Sequence, residues 1–159
     1  MLQQFLFSRC FSFMKDIQID TLGFFVDRVF SYMVKSLNKK LNEECFDIQQ
    51  PQFAILMVMS KKDGLDQSTI SEYVNRDKAS VSRNIKSLVE KGYLNVKPYG
   101  GKKNKIFLSD KGKELIPTLY EIGRYNTLTT LKGFSEKKRG NIFKVLDKMY
   151  RNVSSVVEN

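Results

Sequence analysis

The chain has 159 residues, of which 42% are apolar and 28% are charged, and its formal net charge is +10. This length and apolar content suit one domain, or one domain with an appendage, that buries a hydrophobic core. No apolar run approaches the roughly 20 residues needed to cross a bilayer, and we expect a soluble, cytoplasmic protein with no membrane partner.

The residue types that carry most enzyme and metal chemistry are scarce. There is no histidine, which removes the usual general base, the usual zinc ligand and the Ser–His and Cys–His nucleophile pairs. The two cysteines, Cys10 and Cys45, form no CxxC motif, so neither a disulfide framework nor a thiolate metal site is indicated. There is no Gly-rich phosphate loop and no paired-carboxylate arrangement. We therefore expect no catalytic residues, no metal and no cofactor.

Positive charge is concentrated in the middle of the chain. Residues 1–60 carry six Lys or Arg and six Asp or Glu, whereas residues 61–113 carry thirteen against six, a net charge of +7. Residues 114–159 have a net charge of +3. A basic region of this kind is typical of a phosphate-binding surface. A generally Lys-rich protein is the alternative, which the neutral first third disfavours.

Residues 1–20 form an uncertain leader. The stretch is apolar but has neither a basic beginning nor a small-residue cleavage site, so it is a poor signal peptide, and Met14 is an alternative start. A helix is then predicted over Thr21–Leu41 from an apolar stripe at helical spacing: Leu22, Val26, Val29, Met33 and Leu37. Phe24, Phe25 and Phe30 widen this apolar surface, which indicates burial against more than one partner, such as a second subunit.

Three shorter helices follow. Pro51 suits the first turn of the second helix, which is predicted to end within Lys61–Gly64. Asp66 is predicted to cap a helix over Gln67–Val74. Asp77 is predicted to cap the following helix, which ends at Gly92.

The helix after Asp77 has two opposite faces. Its inner face has apolar residues at i, i+4 and i+7: Val81, Ile85 and Leu88. At about 100° per residue, the outward residues are Ala79, Arg83 and Lys86, flanked by Ser82 and Ser87. A small residue, hydroxyls and two cations together suit close approach to a DNA groove.

The rest of the chain is predicted to be a hairpin and two helices. Strands over Tyr93–Lys97 and Lys105–Leu108 enclose a basic turn with a Gly-Gly tip. Ser109 caps a long helix that Pro117 should bend and Gly133 ends. Ser135 caps the last helix, whose apolar stripe is Ile142, Val145, Leu146, Met149 and Val153.

The predicted order, α-α-α-α-β-β-α-α, is that of a mainly α winged helix-turn-helix with a small β-hairpin wing. We expect a single domain over residues 21–159, with a winged lobe at 46–113. The helices at 21–45 and 114–153 carry more apolar surface than one small domain hides, which predicts a homodimer formed through them.

Four segments resemble the multiple antibiotic resistance regulator (MarR) family of bacterial transcription factors. They are Gln52–Leu56, Asp77–Arg83, Leu88–Leu94 and Leu108–Gly112, and the resemblance extends over roughly residues 21–153. In two places the chain departs from the family pattern. Gly100 and Lys102 stand where the family wing has an acid and an arginine, and Gln49 replaces a threonine cap, which predicts a weaker start of the second helix.

The resemblance and the residue chemistry together predict a site that binds double-stranded DNA. Its candidate residues are Gln67, Ser68, Lys78, Ala79, Ser80, Ser82, Arg83, Lys86, Lys102, Lys103 and Lys105. Arg83 is suited to guanine and the lysines to phosphate. The alternative is a solvated helix face. We expect the helix to carry sequence recognition and the wing to hold phosphate.

The family also implies a small aromatic or anionic effector. Aromatic candidates for its site are Phe24, Phe25, Tyr32, Tyr73, Tyr120 and Tyr125. Packing in the core or at a subunit interface is the alternative role, and the more favoured one. Cys10 lies too far upstream for the family's peroxide-sensing position, and the acidic neighbours of Cys45 disfavour a thiolate.

The sequence therefore predicts a homodimeric transcriptional regulator, with repression as the default, that binds a pseudo-palindromic operator. The alternative is a winged-helix protein–protein interaction module without DNA binding. An enzyme is disfavoured.

Overall fold

The structure, a computed structural model, describes residues 22–100 and 104–157. Its elements are α1 (Leu22–Glu43), α2 (Gln50–Lys61), α3 (Gln67–Val74), α4 (Lys78–Glu90), β1 (Leu94–Pro98), β2 (Asn104–Leu108), α5 (Asp110–Thr130) and α6 (Glu136–Val157). The predicted order and fold class are confirmed, and most element ends differ by one or two residues. The leader at 1–20 and Thr21 lie outside the described residues.

The chain forms two compact units, and the division falls inside α1, after Lys35. In the first unit, the rings of Phe24 and Phe25 meet edge to face with their centroids 6.1 Å apart. Leu22, Val29 and Phe30 are exposed there. The second unit begins at Ser36 and contains the winged helix-turn-helix.

The core of the second unit surrounds α2, which contacts α3, α4, α5 and β2. Ile55, Leu56 and Met59 of α2 are almost completely buried. Ile70 of α3, Leu88 of α4 and Leu119 of α5 are buried against the same cluster: α2 is the helix on which the others are held. Burial of these apolar side chains is the main force that fixes the positions of the helices.

Side-chain caps define the starts of three helices, as predicted. Asp66 accepts from the Thr69 amide at 3.0 Å, Asp77 from the Ser80 amide at 2.8 Å, and Ser109 from the Gly112 amide at 2.9 Å. Each bond satisfies an amide that has no partner within its own helix.

The start of α2 is better satisfied than the sequence predicted. The amide of Gln50 donates to Asn38 Oδ1 of α1 at 2.8 Å, and the amide of Gln49 donates to Gln52 Oε1 at 3.2 Å. Gln49 itself makes no side-chain cap hydrogen bond, which agrees with its interpretation as a weak cap, and a side chain 12 residues away in the chain supplies an acceptor instead.

The hairpin is antiparallel, with Leu94 opposite Leu108 and Val96 opposite Ile106. It is also joined to the loop before α3, because the Ile106 amide donates to the Leu65 carbonyl at 2.8 Å. The wing therefore has a fixed base against the helix-turn-helix.

The two C-terminal helices differ in burial. Leu115, Leu119 and Ile122 of α5 are buried as predicted, and the helix continues through Pro117. In α6 no described residue is buried: Leu146 is 47% and Val153 is 64% exposed. Of the predicted apolar stripe on α6, Ile142 and Met149 are half-buried, and Val145, Leu146 and Val153 are exposed.

Candidate nucleic-acid interface

Helix α4 has the two faces that its spacing predicts. Val81, Ile85 and Leu88 are buried at 2%, 6% and 0% exposure. The exposed side chains are those of Lys78, Ala79, Ser82, Arg83 and Lys86. Because the apolar face anchors the helix, the cationic face is held outward on a rigid element. Ser80 is half-buried beside the Asp77 cap.

One residue that flanks the outward face of α4 is bound to α2. Ser87 lies one turn after Arg83 and is half-buried, which agrees with its predicted flanking position. Its hydroxyl accepts a hydrogen bond from Gln52 Nε2 of α2 at 3.0 Å, a contact that the spacing of α4 does not indicate.

Helix α3 lies directly against the start of α4. Gln67 Nε2 donates to the Lys78 carbonyl at 3.1 Å, so this candidate DNA residue connects the two helices in the single chain. Ser68, next to it, is exposed. Asn75 ends α3 in the left-handed conformation with φ 49°, which an asparagine tolerates in a tight turn.

Of the three candidate lysines of the wing, Lys105 lies within the described residues. Lys105 Nζ pairs with Asp66 Oδ2 of the α3 cap at 3.3 Å, and its side chain is 25% exposed. Lys105 therefore joins the hairpin to α3, and its contact with phosphate stays a prediction. Lys102 and Lys103 lie outside the described residues.

A cleft separates α4 from the hairpin. It has a volume of about 890 Å³. Its lining includes the exposed Ser68, Ser82 and Lys86 and the buried Ile85 and Ile106. The carboxylates of Asp66 and Glu90 also line it.

Asp66 is the most strongly perturbed acid of the described chain. Hydrogen bonds from the Thr69 amide and hydroxyl, with a further one from Lys105, lower the pKa of Asp66 from 3.8 to about 2. All three interactions favour the ionised carboxylate. The Thr69 bonds cap α3 and the Lys105 bond connects that cap to the hairpin, so the ionisation of Asp66 is coupled to the integrity of the winged helix.

We expect this coupling to appear in the acid stability of the protein. The folded-state pKa lies below the unfolded one, so the contribution of Asp66 is complete above about pH 4 and is lost as the pH falls toward 2. Urea midpoints measured between about pH 5 and pH 3 should fall, and Asp66→Asn should flatten that fall. Glu114→Gln, an exposed change on α5, is the control; an unchanged slope in Asp66→Asn would contradict the prediction.

The six aromatic candidates for an effector site are distributed over both units. Phe24, Phe25 and Tyr32 lie on the α1 portion of the first unit, and Tyr32 is 62% exposed. In the second unit Tyr73 is 58% exposed on α3, and Tyr125 lies with its ring 5.6 Å from Lys40 Nζ.

Tyr120 lines a cavity in the second unit. The cavity measures about 550 Å³, and its lining includes Leu37, Phe53, Met57, Tyr120 and Arg124. A hydrogen bond with Lys61, aided by one with Ser60 at 3.2 Å, lowers the pKa of the Tyr120 hydroxyl. The sequence did not indicate Arg124 here, because nothing in its spacing distinguishes it from a surface cation.

In the described part of the chain, three further features bear on function: the thiol, the possible metal ligands and the hydropathy of the helices. Cys45 is an exposed free thiol, and Cys10 lies outside the described residues. Among residues 22–100 and 104–157, no group of His, Cys, Asp or Glu is placed to hold a metal ion. None of the described helices is both long and apolar enough to span a membrane.

The winged lobe is similar to a known protein family. The MarR family model matches residues 46–101. Two Bacillus subtilis relatives, the uncharacterized HTH-type transcriptional regulators YybA and YdgJ, are each 27% identical to the chain. YybA aligns over 67% of this chain and 73% of its own length, and YdgJ over 79% of each.

The fold comparison extends the similarity beyond the winged lobe. A MarR transcriptional regulator from Methanosarcina mazei Go1 superposes with a TM-score of 0.79 and 27% identity, over 85% of this chain and 97% of that one. The matched lobe, the helix order and the hairpin thus agree with one another. Over residues 46–101 the chain matches the MarR family, and its fold is that of the MarR winged helix-turn-helix transcriptional regulators.

Proposed function

We propose that the protein is a transcriptional repressor that binds a pseudo-palindromic operator as a homodimer. The observation that carries the proposal is the exposed face of α4, where Arg83, Lys86, Ser82 and Ala79 project from a helix whose opposite side is buried. A helix of this kind fits the major groove, in which an arginine can bind guanine O6 and N7 together.

The cleft beside α4 also supports the binding of α4 in the major groove of DNA. A helix in the major groove brings the neighbouring phosphate strand against its flank. Ser68, Ser82 and Lys86 line the cleft and are exposed, so they can donate to phosphate oxygens. The net charge of +7 over residues 61–113 supplies the long-range attraction.

The uncovered apolar side chains favour a second copy of the chain as the other partner. Phe143, Leu146 and Val153 of α6 are exposed, as are Val26 and Val29 of α1. Apolar patches of this kind usually mark interaction sites, and pairing two copies through the chain ends would cover them. A two-fold dimer places two recognition helices on half-sites about 34 Å apart.

A small aromatic or anionic effector would bind in the cavity lined by Tyr120 and Arg124. Its volume of about 550 Å³ lies in the range of small-molecule pockets. Phe53 and Tyr120 supply aromatic rings, and Arg124 supplies a guanidinium that would exchange its pair with Glu121, at 2.7 Å, for the carboxylate of an aromatic ligand. An effector that prefers one spacing of the two recognition helices would shift the affinity for DNA.

The test is selection of DNA from a randomised library by the purified protein, followed by gel shifts over a range of salt. We expect an enriched two-fold symmetric sequence and an affinity that falls by about 10³-fold or more between roughly 50 and 200 mM salt. Sedimentation of the complex should give two chains per site. Repeating the shifts with benzoate and salicylate as probes tests the effector.

The alternative remains a winged-helix module that binds another protein. The Gly100 and Lys102 departures from the family wing favour it, because no acid orients the cation at the wing tip. A folded protein that enriches no sequence and has no salt-dependent DNA affinity would support this alternative and overturn the repressor.

A further inference from the structure

Gln52 of α2 is a buried polar side chain whose amide hydrogen-bonds on both sides. It is 6% exposed in a helix otherwise buried through apolar residues. Its Nε2 donates to Ser87 Oγ at 3.0 Å. Its Oε1 accepts from the Gln49 amide at 3.2 Å and from Lys91 Nζ at 3.4 Å. Both ends of the amide are thus satisfied inside the protein.

Two of these partners belong to one end of the recognition helix. Ser87 lies in the last turn of α4, and Lys91 is its C-cap residue, one turn further on. Lys91 also donates to the Asp47 carbonyl and pairs with Asp47 Oδ2 at 3.4 Å. A single side chain of α2 therefore joins the end of α4 to the start of α2 and its preceding loop.

Hydrogen bonds and apolar contacts constrain α4 differently. Val81, Ile85 and Leu88 hold the helix against the core, but apolar contacts have little directional preference and tolerate small rotations. A hydrogen bond weakens steeply when its angle changes. A binding group must be held within about 10–20° to keep a productive geometry. The Gln52 contacts are directional, and one of them holds Ser87, which lies one helical turn after Arg83 on the same side of α4.

We propose that Gln52 is a positioning residue: it fixes the rotation of α4 about its axis and thereby the sequence specificity of DNA binding. The inference rests on the proposed function, since it assumes that α4 reads DNA. Gln52 itself contacts no DNA and acts through Ser87 and Lys91. Its loss is expected to affect base recognition more than phosphate attraction, because phosphate contacts tolerate reorientation better than base contacts do.

The test compares three variants of the full chain. Gln52→Met has a similar length but lacks the amide. Gln52→Glu keeps the acceptors for Gln49 and Lys91, and the Ser87 hydroxyl can turn to donate to it. Gln50→Met is the matched control, because Gln50 contributes its backbone amide to the described hydrogen bonds. For each, affinity is measured for the DNA that wild type enriches and for poly(dI-dC) at the same salt, well below the melting temperature.

We expect Gln52→Met to lower the ratio of specific to nonspecific affinity by about tenfold, the effect of losing one base contact. Gln52→Glu and Gln50→Met should keep the wild-type ratio. If Gln52→Met does not fold, Ser87→Ala, which removes one bond to α4, should lower the same ratio by about threefold.

Two results overturn the inference while the proposed function stands. In one, Gln52→Met lowers both affinities in proportion, as a loss of folded protein would. In the other, the ratio is unchanged in a folded variant. A wild-type protein that enriches no sequence overturns the proposed function, and this inference with it.

Discussion

Replacing both Arg83 and Lys86 by alanine is expected to weaken specific DNA binding by about a thousandfold. Each dimer loses four side chains that face DNA, and a contact to a base edge or phosphate is worth about 1 kcal/mol or more, with tenfold in affinity for each 1.4 kcal/mol. Gel shifts on the DNA that wild type enriches measure the loss. A steeper drop for Arg83→Ala than for Lys86→Ala would place Arg83 on a base.

The folded state should not change in this double variant. Lys86 is 80% exposed, and its pair with Glu90 is long, at 4.0 Å, so its loss has little effect on stability. Lys137→Ala plus Lys148→Ala on α6 is the control, because it removes the same charge from exposed positions outside the α4 face. Equal losses in the two double variants would mean that net charge, and not α4, controls binding. Undiminished specific binding by folded Arg83→Ala plus Lys86→Ala would overturn the assignment.

Gly112→Ala is expected to destabilise the protein by about 2–3 kcal/mol, the range of overpacked cores. A Cβ at this position would lie 2.2 Å from the Tyr93 carbonyl oxygen and 3.2 Å from Leu108 Cδ2. The carbonyl has little freedom to move away, because it accepts from the Ser109 amide at 3.0 Å, while the Tyr93 amide donates to Leu88 at 2.9 Å. The end of α4, the first strand and the start of α5 all meet at this point.

Gly140→Ala is the matched control. It lies inside α6, where a Cβ meets no atom within 4 Å, and on the face opposite the apolar stripe. Alanine should stabilise the helix there by about 0.5–1 kcal/mol. Thermal or urea unfolding of both variants measures the contrast, with roughly 2–4 °C in melting temperature for each kcal/mol. Equal stability of Gly112→Ala and wild type would show that the Tyr93 carbonyl can relax.

The helices and their caps were predictable because their signals are local. Val81, Ile85 and Leu88 repeat with the period of a helix, and Asp66, Asp77 and Ser109 each stand immediately before the helix that they cap. An amphipathic period or a capping side chain acts within a few residues, so the sequence carries it directly. The exposed face of α4 followed from the same periodicity.

The polar contacts between elements were not predictable in this way. Gln52 meets Ser87 across 35 residues and Lys91 across 39, and Lys105 meets Asp66 across 39. Nothing in the local pattern of these residues distinguishes them from surface polar groups. Gln52 belonged to a family-like segment, but its burial and its partners came only from the packing of α2 against α4.

The sequence by itself determined the order of the elements, the caps of α3, α4 and α5 and the cationic outward face of α4. These depend on periodicity, capping and charge along the chain, which folding does not change. Only the tertiary structure decided that Lys105 pairs with Asp66, that Gln52 holds the end of α4 and that no described residue of α6 is buried within a single chain. The two polar contacts depend on which distant groups the packing of the core brings within hydrogen-bond distance. The exposure of α6 depends on which apolar side chains the core of one chain does not bury.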